Sequence, residues 1–143
     1  VNPNPSRSAG RLLVVEDDEA VQVLMRAIFD RYGVQVDIAA NSGTALRYLR
    51  NTHYDAVIIE PVLRGSNGFD LINALKTEES DVLERTFVVT TADDRSLAKF
   101  TDRRFVRGVI HKPFELERLL DEVLACVSPG SDTIRRRVEH HVN

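Results

Sequence analysis

The 143 residues are 43% hydrophobic and 29% charged, with seven glycines and five prolines, which excludes disordered, collagenous and low-complexity classes. A chain of this length makes one domain whose core needs no disulfide or metal staple. A net charge of −3 and a pI near 5.8 supply no field that would gather nucleic acid or an anionic membrane.

Val1 to Gly10 carries Asn-Pro-Asn-Pro-Ser without apolar periodicity and reads as a flexible leader to a domain over 11–127. Leu12-Leu13-Val14-Val15 is an apolar run too short for a helix, hence a buried strand, and it runs straight into Glu16, Asp17, Asp18 and Glu19. Val21, Leu24, Met25, Ile28 and Phe29 then recur at helical steps, predicting an amphipathic helix with those residues inward that closes near Tyr32-Gly33. Val34 to Ala40 reads as a second strand, and Asn41-Ser42 as the cap of a helix with Ala45, Leu46 and Leu49 inward. Ala56 to Ile59 is a third buried strand, delivering Glu60 to Pro61 and a Gly65-Ser66-Asn67-Gly68 turn. Phe69, Leu71, Ile72 and Leu75 predict a third helix, and Thr77 to Asp81 a polar loop. Phe87 to Thr91 is a fourth strand ending in two hydroxyls. Asp93 to Thr101 is a short polar helix anchored by Leu97, Ala98 and Phe100, expected to be the least stable element. Phe105 to Ile110 is a fifth strand, running into His111-Lys112-Pro113-Phe114. Leu116, Leu119, Leu120, Val123, Leu124 and Val127 line the last helix, where the one cysteine, Cys126, is expected as a half-buried thiol in a reducing compartment. Ser128-Pro129-Gly130 ends it, and 128–143 reads as a linker or tail with solvated arginines at 135–137.

Strands alternating with helices predict an α/β fold, a doubly wound parallel sheet with helices on both faces. Right-handed crossovers bring every strand's carboxyl end to one edge, where such sheets bind ligands. Glu16-Asp17, Glu60, Thr91-Ala92 and Lys112-Pro113 should meet there. Three carboxylates together call for a hard cation such as Mg²⁺, and a lysine and a hydroxyl opposite suit phosphoryl oxygens. Each residue alone has a plainer reading: acids at a helix start suit the dipole, Thr91 could cap a strand end, and Lys112 could be a solvated lysine. Only their joint placement points to phosphoryl transfer or sensing. The first strand–helix turn holds acids where a nucleotide-binding phosphate loop has glycines. A small phosphatase of the haloacid-dehalogenase kind, a remote alternative, needs an aspartate pair two residues apart that Glu16-Asp17-Asp18 does not supply. Asp55, at the opposite end of its strand, and Asp18, placed to cap a helix, do not substitute for an acid at Glu60. No apolar run approaches the roughly 18 residues of a membrane span and no charged-then-apolar leader marks a signal peptide, so a cytoplasmic protein is expected.

Leu12 to Asp18, Tyr54-Asp55 through Glu60 to Asn67-Gly68-Phe69, Thr91-Ala92 and Lys112-Pro113-Phe114 resemble the receiver domain of two-component response regulators, over roughly Arg11 to Val127. The resemblance implies a flavodoxin-like five-stranded sheet in the order 2-1-3-4-5 and a signalling domain rather than an enzyme. It implies Mg²⁺, weakly held by Glu16, Asp17 and the backbone carbonyl of Val62, phosphoryl contacts from Thr91 and Lys112, and a cis Lys112–Pro113 peptide. Two positions depart from it. An acceptor aspartate is implied where this chain has Glu60, and a switching aromatic where it has Val109. One more methylene displaces a carboxylate by about 1.5 Å, and in-line transfer is sensitive to that displacement. A glutamate there partly imitates phospho-aspartate, with one charge where a phosphoryl group has about two. The expectation is a degenerate receiver that signals by protein contact, through the fourth helix, fifth strand and last helix, to a histidine kinase or another signalling protein. A homodimer is compatible with that face, and neither nucleic acid nor membrane is implied as a partner. The alternative is a working Mg²⁺-dependent, phosphoryl-accepting switch.

Overall fold

The computed structural model describes residues 10–99 and 103–127; the expected leader before Gly10, Phe100 and Thr101 in the predicted fourth helix, and the tail lie outside the described residues. Its elements are Arg11–Val15 (β1), Glu19–Asp30 (α1), Gln35–Ala39 (β2), Ser42–Asn51 (α2), Ala56–Ile59 (β3), Val62–Leu63 (β4), Ser66–Asn67 (β5), Gly68–Glu78 (α3), Ser80–Leu83 (α4), Thr86–Thr90 (β6), Asp94–Ala98 (α5), Gly108–His111 (β7) and Leu116–Val127 (α6), with a 3-10 turn at Arg103–Phe105.

β2, β1, β3, β6 and β7 lie in that order in one sheet, and every pairing is parallel. With β4 and β5 set aside, this is the expected 2-1-3-4-5 order. Successive side chains of a strand leave opposite faces, so a run buried at every position needs cover on both sides. Leu13, Val15, Val57, Ile59 and Val88 face one cluster, completed by Leu49 of α2, Ile72 and Leu75 of α3 and Leu97 of α5. Leu12, Val14, Ile58, Phe87 and Val89 face the other, completed by Met25 and Phe29 of α1 and Leu120 and Leu124 of α6. Side-chain caps start the helices: Asp18 accepts from the N–H groups of Ala20 and Val21, Asn41 from Thr44, Asn67 from Phe69 and Asp93 from Ser96.

The structure departs from the sequence reading at several places. Leu24, expected inward, is 51% exposed; it sits one residue, about 100°, round the helix from Met25, at the border of the stripe that Met25, Ile28 and Phe29 bury. Leu116 is also exposed, because no earlier helical turn covers the first residue of α6. The Thr77–Asp81 loop is instead the end of α3 followed by α4, whose Val82 and Leu83 are buried. β6 starts one residue before the expected strand, since Thr86 is buried there with its hydroxyl donating to the carbonyl of Val82 at 2.8 Å. β7 begins only at Gly108; Phe105 closes the 3-10 turn and lies half exposed, with the Lys76 ammonium 4.5 Å from its ring centre. The turn after Glu60 contains a small antiparallel hairpin, Val62 opposite Asn67 and Leu63 opposite Ser66, whose tip uses Gly65 at φ +72°. α5 has only five residues, of which Leu97 alone is buried. No helix among the described residues is long and apolar enough to cross a membrane.

Candidate functional site

β1 lies between β2 and β3, and both ladders continue one residue beyond the strands: the Glu16 N–H donates to Ala39 O of β2 and the Glu60 N–H to Val15 O of β1, both at 3.0 Å. Both side chains are therefore carried to the carboxyl edge while their backbones remain in the sheet, and the side chains are 6% and 9% exposed. Across the edge the Lys112 N–H donates to Thr90 O at 2.8 Å, and the Lys112–Pro113 peptide is cis, as expected. The lysine ammonium ends between the two acids, 3.3 Å from Glu16 Oε1 and 3.3 Å from Glu60 Oε1. The second oxygens are engaged as well. Glu16 Oε2 accepts from the Asp17 and Asp18 N–H groups at 2.9 and 3.2 Å, and Glu60 Oε2 from the Val62 N–H at 3.4 Å.

Close packing fixes the loop after Glu60. A Cβ on Gly68 would fall 2.5 Å from Pro61 Cα and 3.0 Å from the Glu60 carbonyl oxygen, so only glycine allows α3 to start against the end of β3. Ser42 at the start of α2 ties the hairpin down through its hydroxyl, which donates to Asn67 O at 2.9 Å.

Burial raises the Glu60 carboxyl above its ordinary pKa, opposed by Lys112, the Val62 N–H and the Thr90 hydroxyl. For Lys112 burial acts to lower the ammonium, but attraction from Glu60 and Glu16 outweighs it and the net shift is upward. The asymmetry has a simple origin: Lys112 sees two carboxylates, whereas Glu60 shares one cation with a second acid. Asp17 is lowered, first by the hydrogen bond from the Arg64 backbone N–H at 2.6 Å and then by the guanidinium, whose Nε lies 3.5 Å from the same Oδ2.

The structure thus brings Glu16, Glu60 and Lys112 into contact and sets Asp17 beside them, turned toward Arg64. It does not bring in Thr91, which is exposed where the chain leaves β6; the hydroxyl that acts on Glu60 is that of fully buried Thr90. Val62 is 60% exposed and presents its N–H, not its side chain, to Glu60. Val109 is buried among aliphatic side chains opposite Val88. Asp55 lies at the far end of β3, accepting from the Arg11 N–H. Three participants escaped the sequence reading: Thr90, Arg64, and His111, whose Nδ1 lies 3.1 Å from Ala92 O and Nε2 3.0 Å from Asp94 Oδ1, joining the end of β7 to the loop before α5 and to the first residue of α5.

An all-oxygen donor set is what Mg²⁺ requires, but the arrangement does not fit it. Lys112 stands between Glu16 and Glu60, Asp17 faces Arg64, and among the described residues no three metal-ligating side chains converge on one point.

Residues 12–124 match the family model of the response regulator receiver domain. Protein PilH of Pseudomonas aeruginosa is 27% identical over 118 residues, covering 82% of this chain and 98% of its own. The non-phosphorylated receiver domain of HemR from Leptospira biflexa superposes with a TM-score of 0.69 at 25% identity, over 83% of this chain and 94% of that one. The response regulator TrrA of Thermotoga maritima, solved in complex with Mg²⁺-BeF, shares the fold at a TM-score of 0.69 and 21% identity, over 80% of this chain and 96% of its own. TrrA has also been solved in complex with the histidine kinase ThkA.

Proposed function

This chain belongs to the response regulator receiver domain family, and on that premise we propose that it is a receiver held in one signalling state, which acts by protein contact and not by aspartyl phosphorylation. The observation that carries the reading is the contact of Glu60 with Lys112 at 3.3 Å, at the position where the family resemblance sets the acceptor aspartate. A phosphoryl group on an aspartate would recruit the lysine; a glutamate reaches it from the start, with a single charge. Glu60 then stands for the modified residue permanently and imperfectly. Val109 supports the same reading, because a valine has no hydroxyl with which to follow events at the acceptor.

Its output surface is the face made by α5, β7 and α6, which meets a histidine kinase or another signalling protein of the cytoplasm, or a second copy of the chain. The complex of TrrA with ThkA is the family precedent for a kinase partner. A second reading, a working Mg²⁺-dependent switch, is favoured by the retained Glu16, Asp17 and Lys112.

Incubating the native protein and Glu60→Asp with a small-molecule phosphodonor and Mg²⁺, and weighing both by intact mass spectrometry, separates the two readings. The native chain should remain unmodified while the aspartate variant gains one phosphoryl group. Stoichiometric modification of the native chain would establish the second reading instead.

A further inference from the structure

We propose that Lys112 and Arg64 together take the charge-balancing place of a divalent cation, so that Glu16, Asp17 and Glu60 hold their arrangement without metal. This deepens, and rests on, the reading of the site given above. Three carboxylates within one loop cluster repel one another unless positive charge lies among them. Here the chain supplies it. The Lys112 ammonium lies between the two buried acids, 3.3 Å from an oxygen of each. The third acid has its own cation, Arg64, whose backbone N–H and Nε both address Asp17 Oδ2, at 2.6 and 3.5 Å.

The remaining oxygens are committed in the same sense. Glu16 Oε2 is held by two backbone N–H groups and Glu60 Oε2 by one. Mg²⁺ demands near-octahedral oxygens at about 2.0–2.1 Å, so it must displace the ammonium from between the acids before it can draw them in. Arg64 owes its place to the hairpin: it precedes Gly65, whose φ of +72° turns the β4–β5 tip back over the β1–α1 loop and aims backbone and guanidinium at one carboxylate. The two cations are not equal. Lys112 is 24% exposed and its acid partners 6% and 9%, whereas the Arg64 side chain is 85% exposed, so Lys112 is the main barrier to metal and Arg64 a minor one.

The test is thermal unfolding of the full chain in zero to about 20 mM Mg²⁺, paired with Mn²⁺ broadening of amide resonances, for the native protein, Lys112→Met and Arg64→Ala. The native midpoint should not move, and Mn²⁺ should produce no broadening centred on Asp17. Lys112→Met should unfold at lower temperature, recover as Mg²⁺ is added, and bind at least about tenfold tighter than the native chain. Arg64→Ala should gain roughly two- to fivefold, the range of an exposed pair, and Arg64→Lys should behave as the native protein does. A native midpoint that rises with Mg²⁺ as steeply as that of either variant overturns the proposal, as does a failure of both variants to gain. If Lys112→Met does not fold, Arg64→Ala, a change at an exposed side chain, decides alone. A native chain that binds Mg²⁺ but refuses a phosphoryl group overturns the metal inference and leaves the proposed function standing; one that accepts the phosphoryl group overturns the proposed function.

Discussion

At the carboxyl edge of the sheet Glu16 and Glu60 are almost fully buried around one shared ammonium, whereas at the amino edge Asp37, Glu78 and Asp81 meet Arg11, Arg50 and Arg85 with at least a quarter of each side chain in solvent. Among the described residues each edge has three pairs of an arginine or lysine with a carboxylate, so burial and not number separates them. Water screens an exposed pair and solvates either partner when the other is lost, whereas a buried acid without its cation has nothing to replace it. The two edges of one topology therefore respond to substitution on different scales.

The largest expected effect lies at the carboxyl edge. Lys112→Met should cost about 3–5 kcal/mol in urea unfolding without added metal, the scale of breaking a buried ion pair from one side. A loss below about 1 kcal/mol would place this edge in the same regime as the other. Tyr54→Phe tests the exception at the amino edge, where a phenol 2% exposed donates to Asp37 Oδ2 at 2.6 Å. Losing that short charge-assisted bond should cost about 1.5–3 kcal/mol in the same assay. Arg50→Ala removes an exposed pair with Glu78 and should change stability by less than about 1 kcal/mol.

The comparison also has a pH form. The folded pKa of Glu60 is raised, mainly by burial, so the stability attached to its protonated form is present at low pH and is lost as pH rises through the folded value. Compared with Glu60→Gln, the native protein should gain in relative stability as the pH is lowered through the raised folded pKa of Glu60. Asp17, lowered by Arg64, has the opposite sign: its contribution is present above the unfolded value and is lost as pH falls through the folded one. A difference between native and variant that stays flat across this range would remove burial as the controlling factor at Glu60.

Much of this edge is legible in the sequence. A β-branched or leucine run that stops at an acid can only be a strand delivering a charge, and Val14-Val15-Glu16 and Ile58-Ile59-Glu60 both have that form. Their meeting followed from crossover handedness, which needs no knowledge of loops. What escaped was polar or very short. Thr86 begins β6 as a buried residue with its hydroxyl bonded to Val82 O, so reading the apolar run alone starts the strand late, and the buried Thr90 hydroxyl that acts on Glu60 carries no apolar signal. The β4–β5 hairpin has two residues on each side, too few for any alternation to show, and Arg64 at its tip has no periodic signature. Leu24 was misplaced because a helical stripe read by spacing has an uncertain border, and only packing decides which border residue is covered.

Ile58 and Ile59 share a peptide bond, yet each belongs to a different cluster, the first with α1 and α6 and the second with α2 and α3. The sheet is in this sense an insulator. Changes of volume at consecutive positions of β3 have no packing partners in common, so their energetic costs add, while Ile58 and Leu124, 66 positions apart in the chain, share one cluster and are coupled. Each side of the domain can drift in sequence on its own, and the carboxyl ends of the strands, where both sides terminate, are where the two histories have to agree.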